Sequence, residues 1–180
     1  MISRHIYLHS IVFLLTLAIM LFGCSSIGVR IENEQPIKQG RLLIMPPRDM
    51  VHGQLVVGSG IEFQTYLLKA FKSFPNIEVL TTDNPKFSNE KSILKQEALE
   101  EARLMNADYV LTTSLGEMRD AAAFSFRKDF VSLEYAALYR VSDGKIIWQG
   151  LRHTVEGANI TTYKTLLVGL AERMVKSMME

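Results

Sequence analysis

Short apolar runs that alternate with amphipathic segments constrain the fold of this chain more than any other feature. Residues 41–45 form a short, mainly apolar run that stops at Pro46-Pro47, which is typical of a strand buried on both faces. Two longer segments place their apolar side chains on one helical face. The predicted elements alternate as strand, helix, strand, helix and strand, at residues 41–45, 59–74, 77–82, 90–105 and 109–115. This order favours right-handed crossovers onto a parallel sheet.

The pattern changes after residue 115. Residues 116–129 predict a loop or hairpin tip, and two strands at 130–141 and 145–155 are joined by Ser142-Asp143-Gly144, a strong hairpin signal. Alternation in the first of these strands predicts one core face, formed by Val131, Leu133, Tyr135, Ala137, Tyr139 and Val141. A last helix is expected at 162–179. The sequence therefore predicts one α/β domain over residues 41–180, of two or three layers. Its mixed sheet has the element order strand-helix-strand-helix-strand-strand-strand-helix.

The first 23 residues have the form of a secretory signal peptide. A short basic head precedes an apolar core at residues 11–22, which is too short for the roughly 20 apolar residues that span a bilayer. The block Leu21-Phe22-Gly23-Cys24 resembles the bacterial lipoprotein signal, in which Leu, a variable residue and Gly or Ala precede an invariant Cys. The resemblance implies that residues 1–23 are removed and that Cys24 carries the lipid. The alternative is a free Cys24 in a cut signal or an uncleaved anchor.

Residues 24–40 are then expected to form a polar, lipidated tether. Ser25 and Ser26 replace the Asp that retains enterobacterial lipoproteins in the inner membrane, so the resemblance implies an outer-membrane protein on the periplasmic face. Stable anchoring needs at least two acyl chains, each buried methylene contributing about 0.8 kcal/mol. The processed chain has balanced basic and acidic side chains, which argues against a nucleic-acid partner. Its single cysteine excludes an intramolecular disulfide.

The triplet Gly58-Ser59-Gly60 before the first helix has two interpretations. A helix N-terminus can bind phosphate, but a dinucleotide fingerprint needs a third glycine near position 63, where Phe63 stands. Ser59 followed by Glu62 instead fits a capping box, in which each residue satisfies a backbone N–H of the other. The second interpretation is favoured.

Catalytic groups are few. Ser59, His52 and Asp49 are the available triad candidates, but no nucleophile-elbow spacing supports them. No pair of histidines has zinc-ligand spacing, and His153 is expected to be a satisfied or exposed strand residue. We therefore predict that the protein is not an enzyme and needs no cofactor or metal.

Three residues are candidates for partner contacts. Trp148 is the lone tryptophan and is either a core anchor or an interface aromatic. Arg127 and Lys128 form a basic pair in the predicted hairpin tip. An alternative function is the binding of a small ligand or glycan by the loops around His52 and Arg127.

Several motifs of the processed chain resemble those of a periplasmic lipoprotein module. They are Gly58-Ser59-Gly60, Ala107-Asp108-Tyr109-Val110, Asp143-Gly144-Lys145-Ile146-Ile147-Trp148 and the C-terminal stretch Leu166 to Met174. The module occurs in Pel exopolysaccharide export lipoproteins, curli-secretion lipoproteins, activators of penicillin-binding proteins and small uncharacterised lipoproteins. The resemblance implies a non-enzymatic accessory or scaffold of an envelope assembly or export system, with protein partners or self-association.

Overall fold

The computed structural model describes residues 29–30, 36–48, 58–87, 93–119, 129–157 and 162–180. Within these ranges the strands are β1 (Val29–Arg30), β2 (Gly40–Ile44), β3 (Ile77–Thr81), β4 (Tyr109–Arg119), β5 (Phe130–Arg140) and β6 (Ile146–Glu156). The helices are α1 (Ser59–Phe71), α2 (Lys95–Leu104) and α3 (Tyr163–Met179). From β2 onwards the elements follow the predicted order, so the α/β fold class is confirmed.

The strands form one mixed sheet in the spatial order β1-β6-β5-β4-β2-β3. β2 runs parallel to both of its neighbours, with Leu42 opposite Val79 of β3 and Tyr109 of β4. The strands β4, β5 and β6 form an antiparallel meander. Leu43 and Ile44 of β2 are fully buried, because helices cover both faces of the sheet at this interior strand.

The helices lie on opposite faces and give the fold three layers. α1 and α3 pack on one face, where Phe63 and Leu67 meet Leu170 and Met174 in the larger core. α2 packs on the other face and contributes Leu99 and neighbouring alanines to a smaller core. None of these three helices is long and apolar enough to cross a membrane.

The β5–β6 turn forms as the sequence predicts. Gly144 has a φ of +66°, which a glycine adopts without steric cost, and its N–H donates to the Arg140 carbonyl at 2.8 Å. The Asp143 carboxylate accepts from the Lys145 N–H and from the Arg140 guanidinium, each at 3.1 Å. The hydrogen bond from the Lys145 N–H, followed by the nearby positive charges, lowers the pKa of Asp143.

The expectation of one core face along β5 is wrong. Val131 and Leu133 belong to the larger core together with Ala136 and Leu138, so the alternation slips by one residue between positions 133 and 136. The pairing of β4 with β5 is irregular at the same level, after Ser114. On β6, Arg152 has a φ of +43°. Local irregularities of this kind in a sheet redirect side chains without ending a strand.

Part of the stretch between residues 24 and 40 belongs to the folded domain. Val29 and Arg30 pair antiparallel with Gln149 and Trp148, so β1 covers part of the outer edge of β6. Ile37 lies in the larger core with 3% of its surface exposed. Pairing of edge N–H and C=O groups and burial of Ile37 explain why this polar stretch joins the domain.

The predicted capping box at α1 is not formed. Gly58, with a φ of +90°, is the N-cap, and Ser59 is already the first helical residue. The Glu62 carboxylate lies 3.0 Å from the Lys164 ammonium and accepts from the Tyr163 hydroxyl at 3.4 Å. The Glu62 carboxylate, which the capping box would need, therefore forms a salt bridge with Lys164 of α3 instead.

Candidate functional site

A concave region lies beyond the carboxyl end of β2, against the middle of its parallel neighbour β4. After β2 the chain continues along β4, where the Met45 N–H donates to the Leu111 carbonyl at 3.0 Å and the Arg48 N–H donates to the Thr113 carbonyl at 3.3 Å. Crevices at the carboxyl ends of strands are the usual ligand sites of open α/β sheets. We call this region the tyrosine groove, which comprises two neighbouring cavities that share Arg48 and Glu134.

The first cavity of the tyrosine groove has a volume of about 370 Å³. Its floor is the middle of β4 and of β5, and its wall is the start of α2 with the segment that follows β2. The lining combines cations, hydroxyl groups and aromatic rings, and it includes Arg48, Lys95, Thr112, Ser114, Tyr135 and Tyr139. This mixture of apolar surface and a few polar groups is typical of small-molecule sites.

Two tyrosines form the centre of this cavity. The hydroxyl oxygens of Tyr135 and Tyr139 lie 2.9 Å apart and share a hydrogen bond. The Lys95 ammonium lies 5.5 Å from the centre of the Tyr139 ring, within the range of a cation–π interaction. Burial, and then the bond to Tyr139, raise the pKa of Tyr135, so this phenol stays protonated at any physiological pH.

The second cavity has a volume of about 500 Å³ and extends along the distal half of the β4–β5–β6 meander. Its charged lining residues have both signs and are Arg48, Glu117, Glu134 and Arg152. The Ser114 hydroxyl donates to the Glu134 carboxylate at 3.1 Å, and the Ser132 hydroxyl donates to the Glu117 carbonyl at 2.9 Å. These bonds fix the polar groups on the boundary between the two cavities.

Trp148 is a core residue. Its side chain is 1% exposed, and its indole N–H donates to the Ser177 hydroxyl of α3 at 3.0 Å. The alternative of Trp148 as a partner contact is therefore not supported by the fold, because a ring buried between β6 and α3 presents no surface to another molecule.

His153 differs from the satisfied or exposed residue that was expected. It is half-buried on β6, and its Nε2 atom has no hydrogen-bond partner among the described residues. Burial, followed by the positive charge of Arg173, lowers the pKa of His153.

The other predicted site residues are not brought together. Ser59 is 1% exposed in the first turn of α1, which removes it from the surface that a nucleophile needs. The remaining candidates, Cys24, Asp49, His52, Arg127 and Lys128, lie outside the described residues. Among the residues that are described, no cluster of three or more His, Cys, Asp or Glu could hold a metal ion.

The tyrosine groove is not among the features that the sequence predicts. Tyr135 and Tyr139, four residues apart on a strand, are expected on one face, but that face is predicted to be core. An aromatic pair on one strand, near a cation that follows a parallel strand, was the available signal.

Comparisons with known proteins add a fold-level likeness. No protein-family model matches the sequence, and no curated protein matches it. Among solved structures, a PelC dodecamer from Paraburkholderia phytofirmans superposes with a TM-score of 0.64 at 14% identity, covering 85% of this chain and 98% of that chain. Lipoprotein GNA1162 from Neisseria meningitidis gives a TM-score of 0.51 at 13% identity, covering 76% of this chain and 95% of that one.

The chain has the fold of these two proteins. The resemblance stated from the sequence motifs is thus confirmed for the architecture, since the likeness to PelC extends over almost the whole of that protein. At 13–14% identity the likeness concerns the fold alone.

Proposed function

We propose that the protein is a non-enzymatic lipoprotein of the outer membrane, anchored through Cys24 and facing the periplasm, that serves as an accessory or scaffold in an envelope assembly or export system. The observation that carries the proposal is the fold likeness to PelC, which spans 98% of a protein that assembles as a dodecamer. The Leu21-Phe22-Gly23-Cys24 block supports the anchor independently.

The lipid anchor has a direct test. Cells that express the full chain are fed an alkyne analogue of palmitate, and the protein is captured and probed for the label. We expect labelled wild-type protein in the outer-membrane fraction and no label on Cys24→Ser. Because Cys24 is the lone cysteine, label that persists on Cys24→Ser would contradict acylation at this thiol.

Self-association or partner binding needs a separate measurement. In-cell crosslinking and native mass spectrometry of the acylated protein are expected to give a defined oligomer or a complex with another envelope protein. A free monomer under all growth conditions would contradict the scaffold role, even if the anchor were demonstrated.

A second candidate function is the binding of a small ligand or glycan in the periplasm. The tyrosine groove favours it, because its first cavity combines cations, hydroxyl groups and aromatic rings at the usual ligand position of an α/β sheet.

A further inference from the structure

The charges of the first cavity favour an anionic ligand. Arg48 and Lys95 both line it, whereas Glu134 is the acidic side chain of its described lining. The Glu134 carboxylate already accepts a hydrogen bond from Ser114, and the position of Lys95 above Tyr139 keeps the ammonium close to the cavity. A carboxylate that enters this space would meet two cations, and hydrogen bonds between ionised groups are about twice as strong as neutral ones.

The tyrosine pair favours a ligand that carries hydroxyl groups. Only one of the two phenolic protons is used in the bond between Tyr135 and Tyr139, so the other remains available as a donor to a ligand. Both phenols also keep acceptor lone pairs. Thr112, which is 7% exposed, adds a hydroxyl to the same lining. The cavity therefore offers donors and acceptors of the kind that bind a polyhydroxylated molecule.

The shape and apolar surface are consistent with a sugar ring. The half-buried ring of Tyr135, together with Ile93 and Leu94, provides an apolar wall on which the C–H face of a pyranose can pack. The volume of about 370 Å³ falls at the lower end of the range of about 300–1,000 Å³ found for small-molecule pockets. A single sugar unit suits such a cavity better than a large cofactor.

We propose that the first cavity of the tyrosine groove binds a carboxylate-bearing saccharide, with the carboxylate between Lys95 and Arg48, the sugar ring against Tyr135 and a sugar hydroxyl group on the tyrosine pair. This inference rests on the second candidate function and is independent of the anchor and of oligomerisation. A carboxylate on a sugar occurs both in the uronic acids of exopolysaccharides and in the lactyl group of N-acetylmuramic acid. Testing one ligand of each kind distinguishes these two sources.

The experiment is isothermal titration of the full processed chain in detergent with four sugars. Glucuronic acid and N-acetylmuramic acid represent the two sources, and glucose and N-acetylglucosamine are their uncharged counterparts. We expect at least one acid to bind, and its uncharged counterpart to bind at least tenfold more weakly. Affinity for the acid should fall as salt is raised, because the contacts are ionic.

Point variants locate the binding site. Lys95→Gln removes one cation, and the affinity for the acid is expected to fall about tenfold, while Tyr139→Phe removes the hydroxyl bond and is expected to weaken the acid and the uncharged sugar alike. Lys69→Gln is the matched control, because the Lys69 ammonium lies 5.6 Å from the centre of the Tyr66 ring on α1, outside the groove. Circular dichroism confirms that each variant is folded.

Three outcomes would overturn the proposal. The first is the absence of heat with all four sugars, and the second is equal affinity for acids and uncharged sugars. The third is binding that Lys95→Gln leaves unchanged, or that Lys69→Gln weakens as much as Lys95→Gln does. None of these results would alter palmitate labelling or crosslinking, so failure of the ligand proposal is distinguishable from failure of the scaffold role.

Discussion

The hydrogen bond between Trp148 and Ser177 ties β6 to the end of α3 and gives a quantitative prediction. Trp148 is opposite Leu138 of β5 in the sheet, and its indole lies in the larger core with 1% of its surface exposed. Its N–H reaches the hydroxyl of Ser177, which is half-buried on α3. Replacing Trp148 or Ser177 should lower the free energy of unfolding, by an amount set by the lost hydrogen bond and the lost buried volume.

The magnitudes follow from burial. Trp148→Phe should cost about 2 kcal/mol, of which about 1 is the hydrogen bond and the rest the space left by the smaller ring. Ser177→Ala should cost about 1 kcal/mol, since it leaves the indole N–H unpaired. In the double variant, Ser177→Ala should cost about 1 kcal/mol less than it does alone, because the indole donor is already absent. The coupling free energy is therefore about 1 kcal/mol.

The measurement is urea unfolding followed by far-UV circular dichroism, since fluorescence is lost with the tryptophan. Ser73→Ala is the control, because Ser73 is exposed after α1 and its loss should change the free energy of unfolding by less than about 0.5 kcal/mol. For a domain of this size each kcal/mol corresponds to a shift of about 2–4 °C in Tm. Additive effects of the two substitutions, or ready quenching of native Trp148 fluorescence by acrylamide, would refute the reasoning.

Three further substitutions test other features. Gly144→Ala should destabilise by about 1–2 kcal/mol in thermal unfolding, because φ is +66° and the new Cβ would lie 3.2 Å from Leu99; an unchanged Tm would contradict this turn geometry. Gly169→Ala should instead stabilise by up to about 1 kcal/mol, since it lies within α3 with its nearest side chain at 3.7 Å, and a loss of stability would indicate an unseen contact. Because the pKa of His153 is lowered in the folded chain, the unfolded chain binds a proton at this residue at a higher pH than the folded chain does. The free energy of unfolding is therefore unaffected by His153 above about pH 6.5 and declines as the pH falls from there towards the lowered pKa. His153→Leu should flatten that decline in urea titrations between about pH 7 and pH 5, and an unchanged slope would exclude His153 as its source.

Most of the architecture could be predicted because it depends on hydrophobic periodicity. The apolar run before Pro46 marks β2, and the stripe that includes Phe63 and Leu67 marks α1. Asp143-Gly144 marks the turn between β5 and β6, since the positive φ at Gly144 is a local requirement. These signals are contained in short segments and do not depend on contacts between distant residues.

The features that escaped prediction depend on such distant contacts. The Glu62 carboxylate forms a salt bridge with Lys164 in place of a capping interaction at its own helix terminus. Lys164 lies 102 positions away along the chain, so local sequence rules do not predict this contact. Val29 and Arg30 form a strand by pairing with the edge of β6, and a segment of two residues has no periodicity from which this pairing could be predicted. The propensity of a segment is a weak guide where its partner lies elsewhere in the fold.

The register slip in β5 connects the fold to the tyrosine groove. Without it, strict alternation would place Leu133 on the same face as Tyr135, and the larger core would lose either Leu133 or Leu138. The slip keeps both leucines in that core and leaves Tyr135 and Tyr139 together on the opposite face, where α2 covers only part of the sheet. The slip therefore lets one strand supply Leu133 and Leu138 to the larger core and Tyr135 and Tyr139 to the lining of the tyrosine groove.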